Sequence, residues 1–317
     1  MEDSQESIQI ADKALRPKSL AEFSGQPGLV NELEIYIQAA QQRAEPLEHV
    51  LLFGPPGLGK TTLANIIANE MGGEWFSTSG PLLQKPTDLA PILVNLTPGS
   101  ILFIDEIHRI NIVVEEMLYS AMEDGFLDIL AGDIEKKSIR IGLEPFTLIG
   151  ATTRSGMLSA PLRARFGMSF RLQAYGLDDL SGVVARAALS LNIELSDHNS
   201  RSIAMRSRGT PRIALKMLRR VRDYLQAKGC SGQDNAAVTN AMEMLGVDEK
   251  GLNEQDQAYL RALRDLFGGG PVGLGTLAST LGEDPGTLED TVEPYLLQEG
   301  LIKRTANGRM LVTEVKS

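Results

Sequence analysis

The stretch VLLFGPPGLGKTT (50–62) restricts the fold of this chain more than any other part of it. Four apolar residues run into a turn of glycines and prolines, and the turn ends in Gly59-Lys60-Thr61. The following segment, Thr61 to Met71, repeats apolar residues at 63, 66, 67 and 71, the spacing of one helix face. A strand, a glycine loop and a helix in direct succession form a cradle for phosphate. Gly57 and Gly59 let the loop curl, so that successive N–H groups and the helix N-terminus face the β- and γ-phosphates of a nucleotide. Lys60 adds a point charge, Thr61 a magnesium ligand, and Thr62 belongs to the same turn.

A second run, ILFIDEIHR (101–109), ends in two carboxylates. Carboxylates at the end of a buried strand are costly unless a cation offsets them, and open α/β sheets bind ligands at that edge. This assigns Asp105 to magnesium, through water, and Glu106 to polarising the attacking water. Alternatively Asp105 caps the turn that follows. Thr152 and Thr153, at the end of the run TLIG (147–150), orient that water or sense the γ-phosphate, or simply close a turn.

WFST (75–78) adds another short strand, and helical patterns at 31–43, 61–71 and 113–122 alternate with the strands, which implies a parallel sheet covered on both faces. After Arg171 the strands stop and amphipathic helices follow at about 177–191, 198–206, 211–227 and 235–245. From Val247 the pattern changes again. A helix over 255–267, a GGGPVG turn, a short helix LGTLASTL, a helix over 285–300 and two strands, LIKRT and RMLVT, around Ala306-Asn307-Gly308 spell a winged helix-turn-helix. The expected division is therefore 1–173 (with 1–14 a mobile tail), 174–246 and 247–317.

At 317 residues and 43% hydrophobic, the chain can bury more than one core. Its longest apolar runs fall short of the roughly 18 residues of a membrane span, and its start is acidic and polar, which implies a cytoplasmic protein. Cys230, the lone cysteine, excludes an internal disulfide and a multi-cysteine zinc site. A net charge of −10 argues against a nucleic-acid partner, but between Arg201 and Lys228 nine basic residues face one acid, Asp223. Within that region, RGTPRIALKMLRRVRDY places Thr210 as a helix cap, Pro211 as the first helical residue and Arg212 in the first turn. A cation there opposes the helix dipole unless an anion lies near. Arg212 is thus expected to reach the nucleotide phosphates.

Together, GPPGLGKTTLANIIANEMG, LFIDEIHRI, FTLIGATTR, APLRARFG, RGTPRIALKMLRRVRDY, FGGGPVGL and PYLLQEGLIKRT resemble the RuvB family of AAA+ motors, from about Leu15 to the C-terminus. The resemblance implies ATP and Mg2+ as cofactors, a homohexameric ring on double-stranded DNA at Holliday junctions, recruitment by a RuvA-type protein, and a RuvC-type resolvase as a further associate. It implies that Leu15 and Arg16 lie against the nucleotide with Phe23 to Gln26 beside the adenine. Thr153 and Arg212 would be the two sensors, Tyr175 a further nucleotide contact, and Arg165 an arginine finger acting on the neighbouring subunit's ATP. Phe126, Ile129 and Leu130, in a hairpin over 126–141, would be exposed contacts for the RuvA-type partner, and Arg304 and Arg309 would track DNA phosphates.

The chain departs from the family pattern at FSGQ, at the hairpin tip Asp133 to Lys137, and at Ala306 and Asn307 of the wing. Other machines share such an ATPase: a clamp-loader-like factor that opens a protein ring, a protein unfoldase, or a silent nucleotide switch. The unfoldase is opposed by the loop PLLQKPTDL (81–89), which has no aromatic to grip a peptide; the switch is opposed by intact Lys60, Asp105 and Glu106.

Overall fold

The computed structural model describes residues 15–131 and 137–312. Two units emerge from their contacts: residues up to Val183 with Thr210–Arg212, and Val184–Gly209 with Ile213 onward.

The first unit is built on a parallel sheet of β1 (Val50–Phe53), β2 (Trp75–Ser79), β3 (Ile101–Asp105), β6 (Thr147–Thr152) and β7 (Met168–Arg171), in the order β2-β3-β6-β1-β7. Strands this apolar need cover on both faces. Helices α1 (Pro27–Arg43), α2 (Lys60–Met71), α3 (Pro86–Val94) and α4 (Ile112–Glu123) carry buried residues, and Leu102, Ile104, Leu148, Val114 and Leu118 share one core cluster. Because every strand runs the same way, the ends of β1, β3 and β6 fall on one edge. That edge is where ligands bind in such sheets.

The segment 81–89, expected as a loop, is half helix. Pro86 opens α3 with a pre-set φ, and the Asp88 carboxylate accepts from the N–H groups of Gln84 and Lys85, at 3.0 and 2.8 Å. Strands β4 (Phe126–Ala131) and β5 (Lys137–Gly142) form the antiparallel hairpin, with Phe126 paired to Gly142 and Asp128 to Arg140. Its tip lies outside the described residues, as does the segment 1–14.

His49 gives this unit a pH dependence. Its Nδ1 accepts from the Leu148 N–H at 2.9 Å and its Nε2 faces the Met122 carbonyl at 3.3 Å, so the neutral ring satisfies both partners. Burial holds its pKa below the ordinary histidine value, against the opposing effects of the Met122 carbonyl and then Glu48. In the unfolded chain His49 takes up a proton near pH 6.5. The unfolded state therefore binds more protons, and stability falls as pH drops below that value. The stability difference between wild type and His49→Gln, measured by urea denaturation at pH 7.5 and 5.5, is expected to shrink at the lower pH; an unchanged difference would refute a neutral buried ring.

Helix α6 (Leu177–Ser190) follows the last strand of the sheet; beyond it α7 (Asp197–Arg206), α8 (Pro211–Lys228) and α9 (Asn235–Met244) bury Ile203, Ala214, Leu218, Val221, Val238 and Met242. Ser196 and Asp234 cap α7 and α9, their side chains accepting from the first-turn N–H groups. Beyond them α10 (Glu254–Arg261), α11 (Leu274–Leu281), α12 (Pro285–Thr287), α13 (Glu293–Gln298), β8 (Ile302–Thr305) and β9 (Gly308–Leu311) enclose a core of Tyr259, Leu263, Leu277, Leu288, Leu296 and Ile302. The helix expected over 285–300 is interrupted by a wide π-type turn at Leu288–Val292. Pro294 has no N–H for the carbonyl four residues back, which accounts for the interruption.

Candidate active site

The loop after β1 brings the expected phosphate-binding residues together. Gly59, at φ 100°, leads into α2, whose first turn carries Lys60, Thr61 and Thr62. The Lys60 ammonium donates to the carbonyls of Gly54 and Pro55 at 2.8 and 2.9 Å. Burial lowers its pKa while Asp105 and Glu106 raise it, so the lysine lies within the field of both carboxylates. Gly57 sits at φ 80°, and a Cβ there would lie 2.8 Å from the Thr210 methyl and 3.0 Å from the Arg212 Cβ. Only glycine admits this approach. The Arg212 N–H donates to the Gly57 carbonyl at 3.3 Å, so the stretch Thr210–Arg212, which belongs to the first unit, lies against the loop. The Arg212 side chain is exposed.

On the other side of the loop, the Tyr175 hydroxyl donates to the Leu58 carbonyl at 3.4 Å, and the Gln26 side chain bonds the Gln173 backbone twice, at 2.5 and 3.2 Å. The FSGQ segment and Tyr175 thus form one wall. Leu15 is half-buried, and Arg16, Lys18, Thr61, Asn65, Asn69 and Asp105 line a cavity of about 700 Å3, with Trp75 and Phe103 stacked at 5.4 Å beside it. A threonine hydroxyl and a carboxylate bordering one cavity are a donor set that suits a hard divalent cation next to phosphates.

Asp105 ends β3 and accepts from the adjacent Glu106 N–H at 2.9 Å; the short turn that follows, Ile107–Arg109, begins from Glu106 without a side-chain cap, so the capping role expected as an alternative for Asp105 is not what the structure shows. Glu106 takes a left-handed conformation, φ 48° and ψ 43°, uncommon outside glycine and characteristic of functional sites. A Cβ on Gly80 would lie 2.3 Å from its carbonyl oxygen, so glycine at 80 gives this turn its room. The Glu106 Oε2 lies 3.2 Å from His108 Nδ1 and accepts from the Thr153 hydroxyl at 3.5 Å. The same nitrogen lies 2.8 Å from the Thr152 hydroxyl, a hydrogen bond whose direction is set by the ring's tautomer. His108 was not singled out from sequence. The available signal was its place two residues beyond Glu106 in a tight turn.

Arg165 closes the short helix α5 (Ala160–Ala164). Its guanidinium pairs with Glu123 at 2.7 Å, donates to the Pro161 carbonyl at 2.9 Å and lies 4.4 Å from the Tyr119 ring centroid.

The hairpin and wing residues are more engaged than expected. Phe126, expected as an exposed contact, is half-buried beneath the Arg140 guanidinium, 3.8 Å from its ring centroid, because the register places Arg140 opposite Asp128, which it also pairs. The side chains of Ile129 and Leu130 lie outside the described residues; the exposed apolar residue of the hairpin described is Ile139. Arg304 and Arg309 face each other across the wing and both bind Glu293, with Arg304 Nη2 at 2.6 Å and Arg309 Nε at 2.9 Å. Burial pushes the Glu293 pKa up, but hydrogen bonds from Arg309, Tyr259 and Arg304 outweigh it and hold the carboxyl below its ordinary value. Arg309 is 17% exposed and Arg304 43%, so Arg304 keeps the larger outward edge while both retain some exposure.

A five-stranded parallel sheet with a glycine loop and lysine after β1, a carboxylate pair after β3 and a threonine after β6 defines a P-loop nucleoside triphosphatase. Family profiles match along nearly the whole chain: the Holliday junction DNA helicase RuvB P-loop domain at 15–172, the RuvB AAA lid domain at 175–248 and the RuvB C-terminal winged helix domain at 249–315. The chain belongs to the RuvB family, whose members are helicase-type ATPases that work as branch-migration motors. It is similar to the Thermotoga maritima RuvB Holliday junction branch migration motor, with a TM-score of 0.83 and 47% identity over 95% of this chain and 96% of that one. A mutant of the same Thermotoga protein gives 0.84 and 47% over 94% and 96%. Among the described residues no helix is long and apolar enough to cross a membrane.

Proposed function

We propose that this chain is the ATP-driven motor of Holliday-junction branch migration, a homohexameric ring on duplex DNA recruited by a RuvA-type partner in recombination and repair, in the cytoplasm. A RuvC-type resolvase fits the same assembly. The domains divide near residues 173 and 246. Lys60 and the N–H groups of the loop hold the β- and γ-phosphates, and Thr61 and Asp105 hold Mg2+, which neutralises phosphate charge. Glu106 takes up the proton of the attacking water while Thr153 orients it. Arg212 reports the nucleotide to the helical domain, and Leu15, Arg16 and Tyr175 border the base. Arg165 completes the neighbour's site. Arg304 and Arg309 follow DNA phosphates without reading sequence, and the hairpin over 126–141 meets the RuvA-type partner.

The observation that carries this reading is the coexistence, in a chain matched by RuvB profiles throughout, of a complete ATPase edge and a winged-helix head. Its test is the dissociation of a synthetic four-way DNA junction by the purified protein, with ATP or a non-hydrolysable analogue, with and without the RuvA-type partner. Junction movement that requires both ATP and the partner is expected. ATP hydrolysis without junction movement would overturn the substrate assignment and leave the ATPase intact.

A further inference from the structure

Arg165 must project from its own subunit if it is to serve another, and a long flexible side chain does not do so by default. Its surroundings restrain it. The guanidinium lies 4.4 Å from the Tyr119 ring centroid, with one Nη on the Pro161 carbonyl and the other on Glu123. Tyr119 is itself fixed: its hydroxyl donates to Glu115 Oε1 at 2.5 Å and lies 3.0 Å from the Ser159 hydroxyl, which also bonds Glu115. Ser159 caps α5 by accepting from the Leu162 N–H at 3.2 Å, and α5 ends at Arg165. The buried Glu115 carboxylate therefore ties both the platform under Arg165 and the helix that carries it. None of these residues belongs to the phosphate loop or to the carboxylate pair of its own subunit.

We infer that Tyr119 and Glu123 are positioning residues that aim Arg165 at the neighbouring subunit's γ-phosphate. The inference rests on the reading of Arg165 as a finger acting between subunits. An aromatic face orients a guanidinium without neutralising it. Glu123 is 62% exposed against 26% for Arg165, which places the carboxylate at the rim, where it holds the arginine outward. Transition-state stabilisation by a charge depends steeply on placement, and a misplacement of about 1 Å can cost a hundredfold.

The test uses mixed rings and steady-state ATP hydrolysis. Arg165→Ala subunits, which keep their own phosphate loop, are mixed with Lys60→Ala subunits, which keep their finger; activity recovered on mixing comes from fingers supplied by the second kind. The Lys60→Ala subunits are then replaced by Lys60→Ala/Tyr119→Leu or Lys60→Ala/Glu123→Gln subunits. The recovered kcat is expected to fall about tenfold with Tyr119→Leu and a few-fold with Glu123→Gln, with KM for ATP unchanged. Where Tyr119→Leu fails to fold, the exposed Glu123→Gln carries the test. Recovery as strong with the double variants as with Lys60→Ala alone overturns the inference while leaving the finger reading in place. No recovery in the first mixture overturns the finger reading itself, and the inference with it.

Discussion

Glu106→Gln is expected to leave ATP binding intact and to lower hydrolysis by about 10²–10⁴-fold, the range a positioned general base contributes. The amide keeps the size of the side chain and an oxygen beside His108, so the left-handed turn at residue 106 has no reason to change. What disappears is the carboxylate's ability to take the water's proton. Nucleotide binding by calorimetry and phosphate release under saturating ATP separate the two effects. Unchanged phosphate release would transfer the role of base away from Glu106. Loss of binding would mean that the substitution disturbs the loop.

Arg208→Ala is expected to destabilise the second unit by about 3–5 kcal/mol, the range found when one partner of a buried ion pair is removed. Asp256 is 0% exposed, and the Arg208 guanidinium pairs with it, donates to the Gly251 carbonyl at 2.8 Å and lies 4.4 Å from the Tyr295 ring centroid. Arg208 follows the end of α7, whereas Asp256 lies in α10 and forms a reciprocal cap with Asn253. The substitution would strand a carboxylate in the interior and unpin the helical segment from the winged head. Adding Asp256→Asn should recover part of the loss, because the stranded group is then neutral. Urea denaturation of the wild type, the single variants and the double variant measures both; a loss below about 1 kcal/mol for Arg208→Ala would show that the pair is dispensable.

Much of the motor was legible because its chemistry is local. The strand, glycine loop and helix of 50–71 follow one another without a gap, so periodicity and residue type suffice to read them, and the same holds for ILFI before Asp105 and for Thr210-Pro211-Arg212 at the start of α8. The winged helix was legible through turn chemistry and alternating apolar residues, except where Pro294 interrupts a helical pattern that otherwise reads as continuous. The segment 81–89 misled because prolines read as loop, although one of them opens a helix.

Arg165 read from its residues alone is an ordinary surface arginine; the family resemblance suggested its role, and the ring of Tyr119 and the carboxylate of Glu123 give it a direction. His108, Gly80 and Arg208 matter through partners 44, 26 and 48 positions away, namely Thr152, Glu106 and Asp256. The sequence by itself determined the strand order of events along the chain: which segment cradles phosphate, which supplies carboxylates, and where the winged head begins. The tertiary structure alone decided that Glu106 adopts a left-handed turn under His108, that Phe126 lies beneath Arg140, and that the wing arginines are held by Glu293. The physical reason is range. Periodicity and capping act over a few neighbouring residues, whereas the partner of a charge is set by which distant segments the packed core brings to the same place.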